Sequence, residues 1–136
     1  MHRFIAALFL VCMTASATPL RVIDGDTFIA LLEVHSQPIW LNGTVATVTF
    51  LERIRVLGVD TPETKGATLV AGHAAKSFTT TWLGCTTPND CKKAKIVTIC
   101  SDKYDDFGRA LATVKRDDGH DLTTDLITTG NGIKFP

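Results

Sequence analysis

A two-residue alternation of apolar and polar side chains runs through the first half of the chain and limits its fold most strongly, because that period is typical of strands with one buried face. It occupies residues 21–34, where Asp24-Gly25-Asp26 interrupts it with a turn or bulge signal. It resumes in residues 39–41 and 44–50, which flank Asn42-Gly43, the strongest short hairpin signal. These patterns predict antiparallel strands joined by short turns.

The hydrophobic period changes to that of a helix in the middle of the chain. Val70, Ala74, Phe78 and Trp82 recur every four residues, and Gly84 follows them. We expect an amphipathic helix that buries this stripe and ends at the glycine.

Two further strands and a short helix complete the predicted order of elements. Residues 95–100 and 110–115 alternate as strands, and residues 121–129 have a helical pattern. The residues expected to face inward on that helix are Leu122, Leu126 and Ile127. The order predicts an α+β, mainly β fold: a five-stranded barrel of the oligonucleotide-binding (OB) type with two or three packed helices.

The first residues have the order of features that defines a secretory signal peptide. Arg3 supplies a positive charge, residues 4–13 form an unbroken apolar run, and Ala15-Ser16-Ala17 is a small-x-small cleavage signature. The run has half the length of the roughly 20 apolar residues that a membrane span needs. We therefore expect residues 1–17 to be removed and residues 18–136 to form a single domain, secreted or periplasmic and not attached to a membrane. A buried N-terminal helix or strand is the alternative.

The cysteines indicate a disulfide, which is the default expectation in an oxidising compartment. Cys85 and Cys91 flank a turn-rich loop that brings them together, and Cys100 reads as a reduced, buried small hydrophobe. A zinc site is the alternative, but no histidine lies near these cysteines in the sequence. Cys12 suggests a lipoprotein, but Val11 is larger than that signal normally allows.

The charge balance argues against one way of binding nucleic acid. The chain has 14 Lys and Arg and 14 Asp and Glu, which gives a formal net charge of +0. A broad basic face is therefore not expected. Phosphate binding would have to depend on a few placed cations and a metal ion.

Unusual polar residues are concentrated in four short segments. They are residues 24–27, Arg55, residues 60–63 and residues 107–109. Each alone has a structural explanation, such as a turn, a solvated strand residue or a helix start. Together they supply what phosphodiester hydrolysis requires: carboxylates for a hard divalent ion, guanidinium groups for phosphate oxygens, and a further carboxylate for the attacking water.

Three stretches of the chain resemble the signature segments of the thermonuclease (staphylococcal nuclease) family. They are residues 22–27, residues 54–63 with the string Leu-Gly-Val-Asp-Thr-Pro-Glu, and residues 102–112 with Phe-Gly-Arg. They occur in the family's order, and the resemblance extends over nearly the whole predicted domain. It implies an OB barrel with helices and a nuclease that cleaves DNA and RNA to leave 3′-phosphates. The first hairpins are longer than usual, which indicates an insertion around residues 35–44.

The resemblance implies a calcium site. Asp26 and Asp60 match the carboxylates that bind Ca²⁺ in the family, and the main-chain carbonyl of Thr61 matches a further ligand. DNA and RNA are the implied substrates. We expect a monomer without a stable protein partner.

The resemblance also implies the catalytic residues. Glu63 matches the general base or water-orienting residue, and Arg55 and Arg109 match the pair that stabilises the pentacoordinate phosphate. Arg109 is also expected to assist departure of the 5′-oxygen. If Phe107 occupies the place beside Arg109, a family tyrosine that binds a terminal phosphate has lost its hydroxyl, and Tyr104 is the other candidate for that place.

Two other functions stay open. The first is an OB-type module that binds single strands or a protein partner without cutting, although degenerate relatives lose the carboxylates or arginines first and this chain keeps them. The second is a secreted metal-binding or structural β-protein, which leaves the two arginines unexplained.

Overall fold

The computed structural model describes residues 12–34, 39–41, 44–46 and 49–136. Residues 1–11, which are most of the predicted signal peptide, lie outside the described residues, as does part of the predicted insertion. The described strands are β1 (Met13–Asp24), β2 (Thr27–Val34), β3 (Ile39–Leu41), β4 (Thr44–Ala46), β5 (Thr49–Val56), β6 (Val59–Asp60), β7 (Val97–Tyr104), β8 (Ala110–Lys115) and β9 (Ile133–Lys134). The helices are α1 (Leu69–Leu83), preceded by a 3₁₀ turn (Gly66–Thr68), and α2 (Leu122–Thr128).

Five of the strands form a closed barrel in the order β1-β2-β5-β8-β7. The β5–β8 pair is parallel and the other four pairs are antiparallel. This mixed barrel with two helices confirms the predicted α+β, mainly β fold of the OB type. The predicted hairpin is also confirmed, because β3 pairs with β4 on either side of residues 42–43, which lie outside the described residues.

The barrel interior explains the two-residue alternation. Inward-facing side chains alternate with outward-facing ones along the strands, and the inward ones form a single hydrophobic core with residues of both helices. The fully buried members include Val22, Phe28, Ile54, Val56, Val97, Val114, Leu83, Leu122 and Leu126. The core therefore joins the barrel and the helices in one unit, which fixes the elements that carry the polar segments.

Helix α1 ends as predicted, and its buried face is the predicted one only in part, since Trp82 is buried and Phe78 is partly buried against the core. Gly84 follows the helix with a φ of 79°, the left-handed conformation typical of a helix end. Val70, expected in the buried stripe, is 83% exposed. Ala74 is exposed, and the buried residues are Gly72, Ala75, Thr79, Thr80, Trp82 and Leu83. The prediction was wrong for Val70 and Ala74 because the first half of α1 packs small residues against neighbouring backbone, and a count of hydrophobic residues does not detect such packing.

The Trp82 side chain of α1 contacts both α2 and Arg116, which follows β8. Trp82 Nε1 donates a hydrogen bond of 2.8 Å to Asp125 Oδ2, and the guanidinium of Arg116 lies 4.7 Å from the centre of the Trp82 ring. Leu122 and Leu126 face inward as predicted, but Ile127 is 37% exposed. The short helix turns only two of the three residues towards the core.

The cysteines form two disulfides in the described chain. Cys85–Cys91 is the predicted pair. Cys100 was predicted to be reduced, and this was wrong, because it pairs with Cys12. This pair was not predicted because Cys12 lies within the residues expected to be removed with the leader.

The segment after Cys12 is part of the barrel. Every β1 residue that pairs with β7 belongs to residues 13–17, and Ala15 and Ala17 are buried. No helix in the described residues is long and apolar enough to cross a membrane.

Candidate active site

The turn between β1 and β2 places Asp26 at the centre of the site. Its carboxylate is buried, with 9% of the side chain exposed. It accepts hydrogen bonds from the Thr27 hydroxyl at 3.0 Å and from the main-chain N–H of Thr61 at 3.0 Å. The guanidinium of Arg55 lies 3.1 Å from the same carboxylate. Asp26 therefore joins the β1–β2 turn to β5 and to the segment after β6.

Arg55 lies on β5, on the opposite face of the strand from Ile54 and Val56, as the alternation predicts. Its side chain is only 11% exposed, so it is not a solvated surface residue. Nη1 donates to the main-chain carbonyls of Val56 at 3.1 Å and Val59 at 2.8 Å, and Nη2 donates to Asp60 Oδ1 at 3.2 Å. A buried cation needs such partners, since desolvation without them is costly. Arg55 is thus fixed between two carboxylates.

The segment after β6 supplies the other wall of the site. Strand β6 pairs with β9 at Asp60, whose side chain is 49% exposed. Thr61 is buried, and its side-chain Oγ1 has no hydrogen-bond partner in the described residues. Glu63 is exposed. The segment therefore presents one half-exposed and one exposed carboxylate beside the buried Asp26.

The small-residue face of α1 supports both walls. A Cβ at Gly72 would collide with the main-chain carbonyl of Glu63, and a Cβ at Gly25 would come within 2.8 Å of Ala75. The hydroxyl of Thr79 donates a hydrogen bond of 2.5 Å to the carbonyl of Gly25. The helix can approach this closely because these positions carry so little side chain. Gly72, Ala75 and Thr79 thereby set the distance between the β1–β2 turn and the segment that carries Glu63.

The loop between β7 and β8 brings Arg109 to the same place. Arg109 Nε donates a hydrogen bond of 2.6 Å to Asp105 Oδ2, and Nη1 is 3.5 Å from the hydroxyl of Thr27. Burial raises the pKa of Asp105, but the hydrogen bonds from Arg109 and Phe107 outweigh it and lower that pKa below its ordinary value. The ion pair therefore persists into mildly acidic solution.

These elements enclose one cleft of about 180 Å³. Its walls contain four carboxylates and two guanidinium groups, so ionised side chains give it an excess of two negative charges. The residues lining it are Asp24, Asp26, Arg55, Asp60, Thr61, Pro62, Glu63 and Arg109. All six residues selected from the sequence for metal binding or catalysis are therefore brought together.

Asp24 is an additional carboxylate of the cleft, and no role for it is predicted from the sequence. It accepts a long hydrogen bond of 3.4 Å from the Thr64 hydroxyl. Its place in Asp24-Gly25-Asp26 was the available signal, because a two-residue spacing across a tight turn can put both carboxylates on one wall.

The donor set suits a hard divalent cation better than a soft one. Carboxylate oxygens of Asp26 and Asp60 and a main-chain carbonyl at Thr61 are the ligands that Ca²⁺ accepts in irregular geometry. In the described residues there is no ready-made cluster of three or more metal-ligating side chains. Asp26 and Asp60 share Arg55 as a partner, so their charges are partly neutralised. The fit is that of a site with two carboxylates, and any other ligands would be main-chain oxygen, water or phosphate.

The aromatic residues near the site are only partly those considered from the sequence. The hydroxyl of Tyr104 donates a 2.9 Å hydrogen bond to Glu52, which also raises the pKa of Tyr104. Phe107 is 78% exposed, and the Arg109 guanidinium lies 5.4 Å from its ring centre. Phe107 thus takes the place beside Arg109, without a hydroxyl. Phe135 lies 6.0 Å from the Arg55 guanidinium and was not predicted, since no periodic pattern includes it.

Comparison of the chain with models of protein families gives no match, and comparison with curated proteins gives none either. The thermonuclease resemblance therefore rests on the short segments described above.

Proposed function

We propose that the protein is an exported, Ca²⁺-dependent nuclease that hydrolyses phosphodiester bonds of DNA and RNA and leaves 3′-phosphates. The observation that carries the proposal is the single cleft lined by both arginines and all four carboxylates. These groups come from segments far apart in the sequence. Export is supported by Arg3 and the apolar residues 4–11, which have the order of a leader and precede the barrel in the sequence, and by the two disulfides, which are typical of oxidising compartments.

Asp26, Asp60 and the Thr61 carbonyl would hold the calcium ion in this proposal. The ion would supply positive charge next to the scissile phosphate. Without it, the carboxylates of the cleft would repel that phosphate. Two carboxylates favour weak binding, with dissociation constants of about 10⁻⁴–10⁻³ M as in other extracellular calcium modules.

The two arginines have different parts in the proposed reaction. Arg55 is fixed by Asp26, Asp60 and two carbonyls, so it offers a rigid positive charge at the base of the cleft. Arg109 uses its Nε edge for Asp105, so its Nη groups would remain to bind a phosphate. Guanidinium groups bind phosphate oxygens bidentately, and such bonds strengthen as negative charge develops.

Glu63 is the proposed water-orienting group or general base. It lines the same cleft as the buried Asp26 and is itself exposed, so a water can reach it from solvent.

The test is cleavage of plasmid DNA, single-stranded DNA and RNA by the purified protein with Ca²⁺, with Mg²⁺ and with excess chelator. We expect cleavage with Ca²⁺, much less with Mg²⁺, which demands a near-ideal octahedron, and none with chelator. Asp26→Ala and Asp60→Ala should lose nearly all activity, whereas Asp117→Ala, an exposed acid outside the cleft, should keep it. Full activity in chelator or in Asp26→Ala would refute the mechanism. Metal-independent binding of single strands without cleavage would support an OB-type binding module instead.

A further inference from the structure

Asp105 makes an unusually complete set of contacts with the loop that carries Arg109. Its Oδ1 accepts hydrogen bonds of 2.9 Å from the main-chain N–H groups of both Phe107 and Arg109. Its Oδ2 accepts a 2.6 Å bond from Arg109 Nε. Only 14% of this side chain is exposed, although it lies on a surface loop. One carboxylate therefore holds both the backbone and the side chain of Arg109.

We propose that Asp105 is a positioning residue that orients Arg109 towards the cleft. The inference rests on the proposed function, in which Arg109 binds the phosphate. Asp105 does not line the carboxylate cleft but lines a neighbouring cavity that shares Arg55 and Arg109 with it, and its own contacts are with Arg109, so it would act through Arg109.

The geometry explains why Arg109 needs such a partner. A guanidinium group has two edges that can bind an anion, one containing Nε and one containing only the Nη groups. Asp105 occupies the Nε edge, so only the Nη edge remains for a phosphate. The Phe107 ring, 5.4 Å from the guanidinium, limits the side chain on another side. Arg55 needs no comparable outside partner, since cleft carboxylates hold it.

The variant that isolates this role is Asp105→Asn. Asparagine has nearly the same shape and keeps an oxygen for the two main-chain N–H groups, but it lacks the charge that binds Nε. Asp106→Asn is the matched control, because it removes the same charge from the adjacent, exposed residue. We expect Asp105→Asn to lower kcat by roughly 10- to 100-fold, the scale of a displaced catalytic group, with little change in KM. Asp106→Asn should change kcat by less than about twofold, because in the described residues it is Asp105 and not Asp106 that binds Arg109.

A double-mutant cycle separates positioning from a general effect on the fold. In the Arg109→Ala background, Asp105→Asn should add almost nothing, because the side chain it orients is gone. The same fold-loss in both backgrounds would overturn the proposal, and so would equal kcat values for the Asp105→Asn and Asp106→Asn proteins.

A measurement independent of activity distinguishes failure of this inference from failure of the proposed function. The Nε–H of Arg109 should give a resolved, slowly exchanging NMR signal in the wild-type protein and in Asp106→Asn, and this signal should be lost in Asp105→Asn. If the wild-type protein does not cleave but shows this pattern, the nuclease proposal fails and the Asp105–Arg109 contact stands. If the signal is unchanged in Asp105→Asn, the positioning role is refuted whatever the activity. Should Asp105→Asn not fold, Asp105→Ser, whose hydroxyl can still accept the main-chain bonds, replaces it in the same comparisons.

Discussion

The Cys12–Cys100 disulfide and the segment that follows it should contribute a large part of the stability. Residues 13–17 provide all of the pairing between β1 and β7, and thus the closure of the barrel. A chain that begins at Thr18 loses this pairing, the buried side chains of Ala15 and Ala17, and the disulfide. We expect such a chain to be far less stable than one that begins at Cys12.

The disulfide's share can be estimated from the lengths of chain that each bridge encloses. Cys12 and Cys100 are 88 residues apart in the sequence, and on the chain-entropy account a loop of that length stabilises by about 4–5 kcal/mol. Cys85 and Cys91 are 6 residues apart, which corresponds to about 2 kcal/mol on the same account. Removing the long-range bridge should therefore cost about twice as much as removing the short one.

Urea unfolding of four proteins tests this. They are the chain from Cys12, the chain from Thr18, the Cys12→Ser/Cys100→Ser double variant and the Cys85→Ser/Cys91→Ser double variant. Relative to the chain from Cys12, the free energy of unfolding should fall about twice as far in the Cys12→Ser/Cys100→Ser variant as in the Cys85→Ser/Cys91→Ser variant. In reductant the two double variants should no longer differ. Equal losses for both bridges would refute the loop-length argument. A chain from Thr18 as stable as the chain from Cys12 would refute the role of residues 13–17.

The pairing of residues 13–17 with β7 also predicts where an exported form begins. Cleavage after Ala17, expected from the small-x-small signature, would remove the β1 residues that pair with β7. We therefore expect intact-mass spectrometry of the exported protein to show an N-terminus at or before Cys12 and two disulfides. Residues 4–11 still match the 7–15 apolar residues of a leader core. A mass that corresponds to an N-terminus at Thr18, in an active and stable protein, would instead support cleavage after Ala17.

Three further predictions concern single residues. Glu63→Gln should lower turnover by roughly 100-fold or more, as for loss of a general base, with little change in nucleotide affinity; equal losses in both would indicate a structural role. Gly72→Ala should destabilise by about 1–3 kcal/mol, because its methyl group would force α1 away from Glu63, and urea unfolding with a turnover assay would detect both effects. Asp125 is partly buried, which raises its pKa, but hydrogen bonds from Trp82 and His120 outweigh this effect and lower the pKa. The ionised Asp125 therefore stabilises the fold at pH values above its unfolded pKa, and this stabilisation is lost as the pH falls through its folded pKa. The stability difference between wild type and Asp125→Asn should therefore shrink below about pH 4, and a difference independent of pH between 3 and 7 would contradict this.

The strands could be predicted because each buries one face, so burial leaves a two-residue period in the sequence. The turns were predictable for a similar local reason, since Asp24-Gly25-Asp26 and Asn42-Gly43 are turn signals and a glycine such as Gly84 readily adopts the left-handed conformation of a helix end. Residues that pack small side chains against backbone leave no such period. Gly72 and Thr79 are therefore invisible to a search for hydrophobic residues, although they set the position of the site.

The site residues were predictable as chemical types and not as an arrangement. The polar segments indicate carboxylates and arginines as residue types, and the family resemblance selects Asp26, Arg55 and Arg109 among them. Nothing local in the sequence states that Arg55 lies between two carboxylates. The partner of Arg109 was missed for a different reason. Asp105-Asp106 looks like an acidic addition to a loop, and only the folded loop distinguishes the buried Asp105 from its exposed neighbour.

The contacts of Arg55 connect these observations to the proposed chemistry. With only the protein's own groups in the cleft, Asp26 and Asp60 hold Arg55, and their negative charge offsets its attraction for phosphate. A divalent cation on the same carboxylates would take over part of that charge, so the arginine would attract an anion more strongly. A bound phosphate would in turn offer further oxygen ligands to the cation. Each ligand should thus favour the other, and by linkage the effect on the two affinities must be equal. The apparent shortage of carboxylates for tight calcium binding is then consistent with a site that is completed only when substrate is present.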